Sequence, residues 1–398
     1  MVDLGYLSFD GDNHYYEPRD AFTRHIEPKH RDKAVRVVRD GTGRESILVG
    51  DKPFTFLADM ELNFDLTLKP GSLRDYLRYL TGENAGGDDG VKEPVQPAYI
   101  NRDARLALMD HQRLESSLLF PTLGVCVEHF MKDDVEQSYA NLRAFNRWLD
   151  EDWGFDYRGR IFAAPIMSLL DADEAVKDIE WAISRGARII GMRPGPQGGK
   201  SPADPAFDAF WSRVNEAKLA VAFHVSESGY NEMMSVHWGE NPNPSSHSQS
   251  AFQWCNFYGD RPIMDTISAL IFHNLFGRYP NIRVLSVENG SLWVPYIIKA
   301  MDKMKGMGRN GPWIGGRWHG RPSEVFRKHI YVSPYHEEDI VALGNLIGMD
   351  RVVFGSDYPH PEGLCDPVDF AHGLEKLGPA EQKMIMRDNQ RRLVGLDS

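Results

Sequence analysis

The sequence predicts an α/β protein folded as a TIM-like (β/α)8 barrel, with long insertions after strands 1 and 5. Short apolar runs recur along the 398 residues and are rich in Val, Ile, Leu or Phe, as in strands buried on both faces of a parallel sheet. Amphipathic stretches lie between them, as at 137–153, 171–184 and 205–217. A repeat of about eight such units favours a closed barrel. An open doubly wound sheet is the alternative, disfavoured because no G-x-G-x-x-G follows a strand.

The predicted strands divide the chain unevenly. In chain order they lie at 7–9, 116–120, 160–164, 187–192, 219–223, 282–287, 330–332 and 351–354. We therefore expect one barrel domain over residues 1–398 that carries an insertion subdomain at about 18–105. Further insertions lie at about 225–261 and 306–322 and are rich in aromatic residues. Because loops after the strands form the catalytic face of a barrel, we expect them to wall a pocket for an apolar or aromatic acid.

Two local patterns stand out within the first insertion. The string E-S-I-L-V-G-D-K-P-F-T-F-L at 45–57 predicts a hairpin that turns at Gly50–Asp51. The string T-G-E-N-A-G-G-D-D-G-V-K-E-P at 81–94 is typical of a flexible loop.

Composition excludes several classes of protein. The chain has 45 basic and 57 acidic residues, a net charge of −12, and no basic block, which argues against a nucleic-acid partner. No apolar run approaches about 18 residues, so we expect no membrane span. The first residues lack the basic region of a signal peptide. The three scattered cysteines, Cys126, Cys255 and Cys365, are typical of reduced thiols, so we expect a cytoplasmic protein.

Histidines and carboxylates follow the predicted strands at their carboxyl ends. Asp12 and His14 are two residues apart, so their side chains point to the same side of an extended backbone. His224 follows the fifth strand, Glu288 the sixth and Asp357 the eighth. Because a barrel brings strand ends together, these residue types predict a divalent-metal site with mixed nitrogen and oxygen ligands.

Three further residues lie near these positions. Glu17 lies within reach of Asp12 and His14. Arg193 follows the fourth strand, where its planar guanidinium either binds a substrate carboxylate or forms a salt bridge at the barrel rim. His360 lies between two prolines, three residues after Asp357, and either lines the substrate site or has a structural role.

Eight strings, taken together, resemble a known family. They are D-G-D-N-H-Y-Y-E-P at 10–18, L-F-P-T at 119–122, A-F-N-R-W-L at 144–149, G-R-I-F-A-A-P-I-M at 159–167, A-V-A-F-H-V-S-E at 220–227, E-N-G-S-L-W-V-P-Y at 288–296, F-G-S-D-Y-P-H-P-E-G at 354–363 and R-D-N-Q-R-R-L-V-G-L at 387–396. The chain resembles the amidohydrolase superfamily, in the branch that includes aminocarboxymuconate-semialdehyde decarboxylase and γ-resorcylate decarboxylase. The resemblance covers nearly the whole chain.

The resemblance implies roles for four of the candidate residues. Asp12 and His14 stand where the family has an H-x-H or E-x-H ligand pair, and His224 stands at its fifth-strand histidine ligand. Asp357 stands at the eighth-strand aspartate, which in such enzymes touches the metal and handles a proton of the bound water. This is sound chemistry, because a divalent ion lowers the pKa of a bound water and a neighbouring carboxylate can take its proton. The resemblance also implies that the substrate is a small molecule. Because members of the family commonly dimerise, a homodimer is one expected assembly of this chain.

The sequence departs from the family pattern in two places, and it also lacks a lysine that some relatives carry. Asp12 replaces a histidine or glutamate. The site is then richer in carboxylates, which favours manganese or iron (Mn or Fe) as the metal, and zinc (Zn) is the alternative. Glu288 replaces a histidine, so it is either a base or a ligand of a second metal. With Glu17 nearby, the site is expected to hold either one metal ion or two. Arg193 follows the fourth strand where some relatives have a lysine, so we expect no carboxylated-lysine bridge.

These observations predict an enzyme of the amidohydrolase superfamily. The first hypothesis is a metal-dependent hydrolase that acts on the ester, thioester, amide or C–C bond of an apolar or aromatic acid, with Asp357 and Glu288 as its catalytic residues. Glu288 in place of histidine favours it. The family resemblance favours the alternative, a metal-dependent non-oxidative decarboxylase of an aromatic or unsaturated carboxylic acid. A catalytically inactive binding barrel is a third alternative, disfavoured because the four ligand positions hold competent residue types.

Overall fold

A parallel β-barrel forms the centre of the protein, in a computed structural model that describes residues 3–57, 62–80 and 91–397. The strands in these residues are β1 Ser8–Tyr15, β2 Val35–Arg39, β3 Glu45–Val49, β4 Lys52–Pro53, β5 Leu66–Leu68, β6 Lys92–Pro94, β7 Leu114–Pro121, β8 Ile161–Ala163, β9 Ile189–Met192, β10 Ala220–His224, β11 Arg283–Val287 and β12 Ile330–Val332. The barrel consists of β1, β7 to β12 and an eighth segment at 352–354.

Parallel pairing sets the order of the barrel strands. β1, β7 and β8 lie side by side, and β9, β10, β11 and β12 form a second run. A bridge between Ile166 and Gly191 joins the two runs. On the other side, Val352 bridges to β12, and Gly11 N donates to Phe354 O over 2.8 Å. The eighth segment thus lies between β12 and β1, and the predicted barrel is confirmed.

The first and eighth segments differ from their predicted extents. β1 continues beyond the predicted end, so Asp12 and His14 lie within the strand rather than after it. The predicted strand at 351–354 carries a single bridge and forms no ladder. The reason is that Phe354 N donates to Ile385 O, over 3.2 Å, instead of to a neighbouring strand.

Helices surround the barrel. In the described residues they are α1 Leu73–Leu80, α2 Pro97–Ile100, α3 Arg102–His111, α4 Val135–Asp152, α5 Ala172–Ser184, α6 Asp208–Glu216, α7 Tyr230–Met233, α8 Ala251–Gln253, α9 Asp260–Phe272, α10 Leu275–Arg278, α11 Val294–Met307, α12 Pro322–His329, α13 Ile340–Ile347, α14 Pro379–Lys383 and α15 Asn389–Leu393. α4, α5 and α6 match the predicted amphipathic stretches. Asp134 and Asp171 cap α4 and α5 by accepting hydrogen bonds from first-turn N–H groups. None of these helices is both long and apolar enough to cross a membrane.

The barrel strands bury side chains on both faces, as β10 shows. Val221 and Phe223 pack against the surrounding helices, whereas Ala220 and Ala222 pack with side chains of the other strands inside the barrel. Successive side chains alternate between the faces of a strand, and all four residues are fully buried. This double burial explains why the strands read as continuous apolar runs.

The insertion between β1 and β7 contains two small antiparallel sheets. β2, β3 and β4 form one of them, and Val49 pairs with Lys52, so the hairpin turns at Gly50–Asp51 as predicted. β5 and β6 form the other sheet. β6 occupies the end of the segment predicted as a flexible loop at 81–94. The rest of that segment, 81–90, lies outside the described residues.

The insertions after β1 and β10 touch each other on the face of the barrel that carries the strand carboxyl ends. Ser245 Oγ donates to Phe56 O over 3.3 Å. The rings of Phe56 and Tyr258 stack with centroids 6.3 Å apart and planes 19° apart. The two insertions therefore enclose this face together.

Gly11 lies where β1 meets the eighth segment, and a methyl group has no room there. A Cβ on Gly11 would lie 2.8 Å from the carbonyl oxygen of Phe354 and would also meet the side chain of Val353. We expect Gly11→Ala to lower the free energy of unfolding by about 1–3 kcal/mol, the usual cost of overpacking, as measured by urea unfolding. Gly41→Ala is the control, since Gly41 faces open space. Equal losses in the two variants would contradict the expectation.

Candidate metal centre

Ligand-type side chains from four barrel segments meet at the carboxyl ends of the strands. Asp12 and His14 belong to β1, His224 ends β10, Glu288 directly follows β11, and Asp357 follows the eighth segment. Two groups have ligand atoms within 4.8 Å of one another: the first is Asp12, His14, His224 and Glu288, and the second is His14, Glu288, Asp357 and His360. The fold thus brings these side chains together from both ends of the chain.

The ligand atoms converge on one region. His14 Nε2 lies 3.3 Å from Asp12 Oδ1, 3.3 Å from His224 Nε2 and 3.3 Å from Asp357 Oδ1. Glu288 Oε2 lies 3.2 Å from His224 Nε2 and 3.8 Å from His14 Nε2. Separations of this size match ligands that share one divalent ion at about 2.0–2.2 Å.

Both imidazoles are held as neutral rings. Burial lowers the pKa of His14 well below its usual value and lowers the pKa of His224 to about 4. His224 Nδ1 donates to the carbonyl oxygen of Val225 over 2.8 Å, which leaves the lone pair of Nε2 directed at the cluster. Neutral imidazole with its second nitrogen bonded in this way is the form that binds metals.

The three carboxyl groups of the cluster repel one another. Burial, followed by the charges of neighbouring carboxylates, raises the pKa of Asp12, Glu288 and Asp357 well above the usual range. Among the described residues, buried Asp12 Oδ1 has no hydrogen-bond partner. A divalent cation would offset the repulsion and occupy that oxygen, so these residues fit a metal ion.

Asp357 is fixed by a chain of hydrogen bonds that ends on the backbone of β1. Its Oδ1 lies 2.7 Å from His360 Nδ1, and His360 Nε2 lies 2.9 Å from Thr122 Oγ1. The Thr122 hydroxyl donates its hydrogen to Tyr15 O over 2.8 Å, so its oxygen accepts from the N–H of His360. The His360 ring also lies against His14, with centroids 3.9 Å apart and planes 31° apart. His360 therefore belongs to the cluster.

Asp10 is a residue of the site that sequence reasoning missed. Its carboxylate is fully buried and accepts hydrogen bonds from the backbone N–H groups of Asp12 (3.1 Å) and Ser356 (3.0 Å) and from Asn13 Nδ2 (2.8 Å). Asp10 thereby ties the two segments that carry Asp12 and Asp357. The signal that could have identified it is its position directly after the predicted strand at 7–9, where Asp12 and His14 were also found.

Glu17 lies outside both groups of ligand atoms. Its carboxylate accepts hydrogen bonds from Leu123 N (2.9 Å) and Gly124 N (2.8 Å), in the loop after β7. Burial raises its pKa to about 7. Glu17 thus fixes a neighbouring loop, and the structure does not bring it to the metal cluster.

Arg193 lies in the wall of the cavity behind His224. Its Nε is 3.3 Å from Glu128 Oε2, and both side chains are buried. The two terminal nitrogens donate to Ser228 O (3.4 Å) and Pro196 O (3.1 Å). The structure therefore shows the rim salt bridge that was the alternative to carboxylate binding, at a position beside the cluster.

Comparison with known proteins shows three informative similarities. An amidohydrolase from Mycobacterium avium subsp. paratuberculosis K-10 has a solved structure that superposes with a TM-score of 0.86 and is 37% identical, covering 99% of this chain and 100% of that one. A dihydroxybenzoic acid decarboxylase from Polaromonas sp. JS666, solved with manganese and the inhibitor 2-nitroresorcinol, shares the fold at a TM-score of 0.58, with 12% identity over 99% of this chain and 98% of that one. A 2-amino-3-carboxymuconate-6-semialdehyde decarboxylase from Dictyostelium discoideum is 26% identical over 132 residues, which are 33% of this chain and only 36% of that protein.

This protein is a (β/α)8 barrel with histidines and carboxylates clustered at its strand ends. This combination is typical of metal-dependent enzymes built on a barrel. The chain belongs to the amidohydrolase family, whose model matches residues 83–396. The matched residues include His224, Glu288 and Asp357, whereas Asp12 and His14 precede them. The resemblance stated from the sequence is therefore confirmed.

Metal binding is expected to stabilise the fold, because the cluster forms only in the folded chain. After EDTA treatment, Mn²⁺ at about 100 times its Kd should raise the free energy of unfolding by about 2.7 kcal/mol, measured by urea unfolding. His224→Ala should abolish the gain, whereas His372→Ala, an exposed histidine elsewhere, should keep it. Identical unfolding curves with and without Mn²⁺ would contradict the metal centre.

The hydrogen-bond chain through Thr122 is expected to support metal binding. Thr122→Val removes the oxygen that accepts from His360, so the ring that holds Asp357 loses its own anchor. We expect Mn²⁺ affinity to fall roughly tenfold, measured by the electron paramagnetic resonance signal of free Mn²⁺. Thr122→Ser keeps the hydroxyl and should keep the affinity. Equal affinities in these two variants would show that the chain does not support the site.

Proposed function

We propose that the protein is a metal-dependent enzyme that removes CO₂ from an aromatic or unsaturated carboxylic acid without an oxidant. The observation that carries this proposal is the cluster of Asp12, His14, His224 and Glu288, with Asp357 Oδ1 3.3 Å from His14 Nε2. The decarboxylase name of the Dictyostelium relative supports it. So does the shared fold of the manganese-containing decarboxylase from Polaromonas.

The wall beside the cluster suits a flat, partly apolar substrate. The ring of Phe120 lies 5.2 Å from the ring of His224 and 6.3 Å from that of His14. Phe120 lines the same cavity as His224 and Arg193. We assign to Phe120 the contact with the substrate's ring or double bond, and to Arg193, through its ion pair with Glu128, the support of this wall.

Five side chains would hold the ion: the predicted ligands Asp12, His14, His224 and Asp357, together with Glu288. A divalent ion bound there supplies Lewis-acid polarisation of the substrate's oxygen atoms. Three carboxylates beside two imidazoles favour manganese or iron, and zinc also accepts these ligand types.

Asp357 is the proposed proton carrier. In the reaction the bond between the carboxyl group and the substrate carbon breaks, its electron pair stays on that carbon, CO₂ leaves and a proton takes its place. Asp357 lies beside the cluster, and His360 Nδ1, at 2.7 Å, fixes the orientation of its carboxyl group. A carboxyl group held in this way can deliver a proton to carbon as a general acid.

Hydrolysis of an ester, thioester, amide or C–C bond is the second candidate function, and Glu288 favours it. Glu288 stands where the sequence resemblance implies a histidine in the decarboxylases. Its Oε2 lies 3.2 Å from His224 Nε2, so a carboxylate is available within the cluster to take a proton from an attacking water.

The two reactions differ in their products, which provides the test. The Mn²⁺-loaded protein is incubated in H₂¹⁸O with hydroxylated benzoic acids, with muconate-type acids and with matched esters and amides. We expect one of the acids to release CO₂ without ¹⁸O in the organic product, measured by mass spectrometry. Incorporation of ¹⁸O without CO₂ release would overturn the proposal in favour of hydrolysis. If the protein binds Mn²⁺ but forms neither product, the result would favour the catalytically inactive binding barrel.

Asp357→Asn provides the control for the active protein, because it keeps the shape of the side chain and removes its proton. We expect kcat for CO₂ release to fall by roughly 10²–10⁴-fold. The matched variant Asp369→Asn changes a more exposed aspartate and should keep wild-type kcat. Wild-type kcat in Asp357→Asn would exclude Asp357 as the proton carrier.

A further inference from the structure

The backbone at Glu288 has a conformation that its neighbours must maintain. Glu288 has a φ of 53°, in the left-handed region that residues with a Cβ rarely occupy. Such conformations persist only where the surrounding structure holds them. The side chain that extends from this turn reaches His224 Nε2 at 3.2 Å. The position of the Glu288 carboxylate therefore depends on whatever holds the turn.

The loop at 333–339, between β12 and α13, holds it. The hydroxyl of Tyr335 donates to the carbonyl oxygen of Glu288 over 3.0 Å. The carboxylate of Glu338 then joins the two loops, because Oε1 accepts from Ser291 N and Oε2 accepts from Tyr335 N, each over 3.0 Å. One hydrogen bond thus acts on Glu288 itself, and two others fix the loops around it.

The two loops also fit closely. Gly290 has a φ of 60°, and a Cβ at this position would lie 2.7 Å from the ring of Tyr335 and 3.1 Å from Glu338 Oε1. Tyr335 is nevertheless 42% exposed, so its ring is no part of the hydrophobic core. The close fit and the hydrogen bonds come from the same two side chains, which act on the same turn. Core packing does not account for this arrangement.

We propose that Tyr335 and Glu338 are positioning residues that hold Glu288 in the metal centre and thereby set the affinity of the centre for its divalent ion. The inference rests on the proposed role of Glu288 as a metal ligand. Tyr335 acts through the backbone of Glu288, and Glu338 acts through Tyr335 and Ser291. The centre thus depends on a loop that supplies none of the ligand atoms in its two groups.

Three variants test the proposal by Mn²⁺ titration, independently of any substrate. Tyr335→Phe removes only the hydroxyl, and we expect the Kd for Mn²⁺ to rise roughly tenfold. Glu338→Ala removes both acceptor oxygens and should have a similar effect. Glu338→Gln keeps one acceptor and should lie between Glu338→Ala and the wild type. Wild-type Kd in both Tyr335→Phe and Glu338→Ala would overturn the proposal.

Matched controls separate positioning from a general loss of stability. Glu337→Gln changes the adjacent glutamate, which is 68% exposed, and Tyr296→Phe changes a tyrosine that is 66% exposed. Both should keep the wild-type Kd. Urea unfolding in EDTA measures the stability of each variant without metal. A loss of stability in Tyr335→Phe with an unchanged Kd would also overturn the proposal, because it would assign Tyr335 a purely structural role.

A double-mutant cycle distinguishes failure of this inference from failure of the proposed function. Glu288→Gln should itself weaken Mn²⁺ binding, and adding Tyr335→Phe to it should cause little further loss, since both act on one ligand. Additive losses would overturn the inference that Tyr335 acts through Glu288. Wild-type affinity in Glu288→Gln would instead remove Glu288 from the ligand set. In that case both the proposed metal centre and the positioning role of Tyr335 and Glu338 would be wrong.

Discussion

The crowding of three carboxyl groups at the mouth of the barrel, one buried and two half-buried, is the constraint on which the rest of the site depends. Asp12, Glu288 and Asp357 face one another and two neutral imidazoles, and without a cation their charges oppose the fold. Each carboxyl group has its own support. Asp10 bonds to the backbone of Asp12, Tyr335 bonds to the backbone of Glu288, and His360 bonds to the carboxylate of Asp357.

The order of the barrel and the meeting of the ligand-type residues could be predicted because both follow from periodic patterns. Apolar runs mark strands, and barrel closure brings their carboxyl ends together whatever their separation in sequence. Asp12, His14, His224, Glu288 and Asp357 each stand in or just after such a run, so the same two rules place all of them. The residues that the sequence placed well are those whose position depends only on the strands.

Residues whose position depends on loops could not be placed in this way. The carboxylate of Asp10 bonds to Ser356, which is 346 residues away, and no local pattern encodes that pairing. Glu17 and Arg193 bond to groups in the loop after β7 and in the 3-10 turn that follows it, namely the N–H of Leu123 and the carboxylate of Glu128. Side-chain chemistry showed that both residues needed polar partners, but only the folded loop identified them.

The closure of the barrel between β1 and its eighth segment has a consequence for how the metal centre forms. Asp12 belongs to the first strand and Asp357 follows the eighth segment, so these two ligands meet only when the barrel closes. The full set of ligands therefore requires both segments to be in place. A bound ion would cross-link the first strand of the barrel to its eighth segment. Such a cross-link closes a very long loop of chain and opposes opening of the barrel between β1 and the eighth segment.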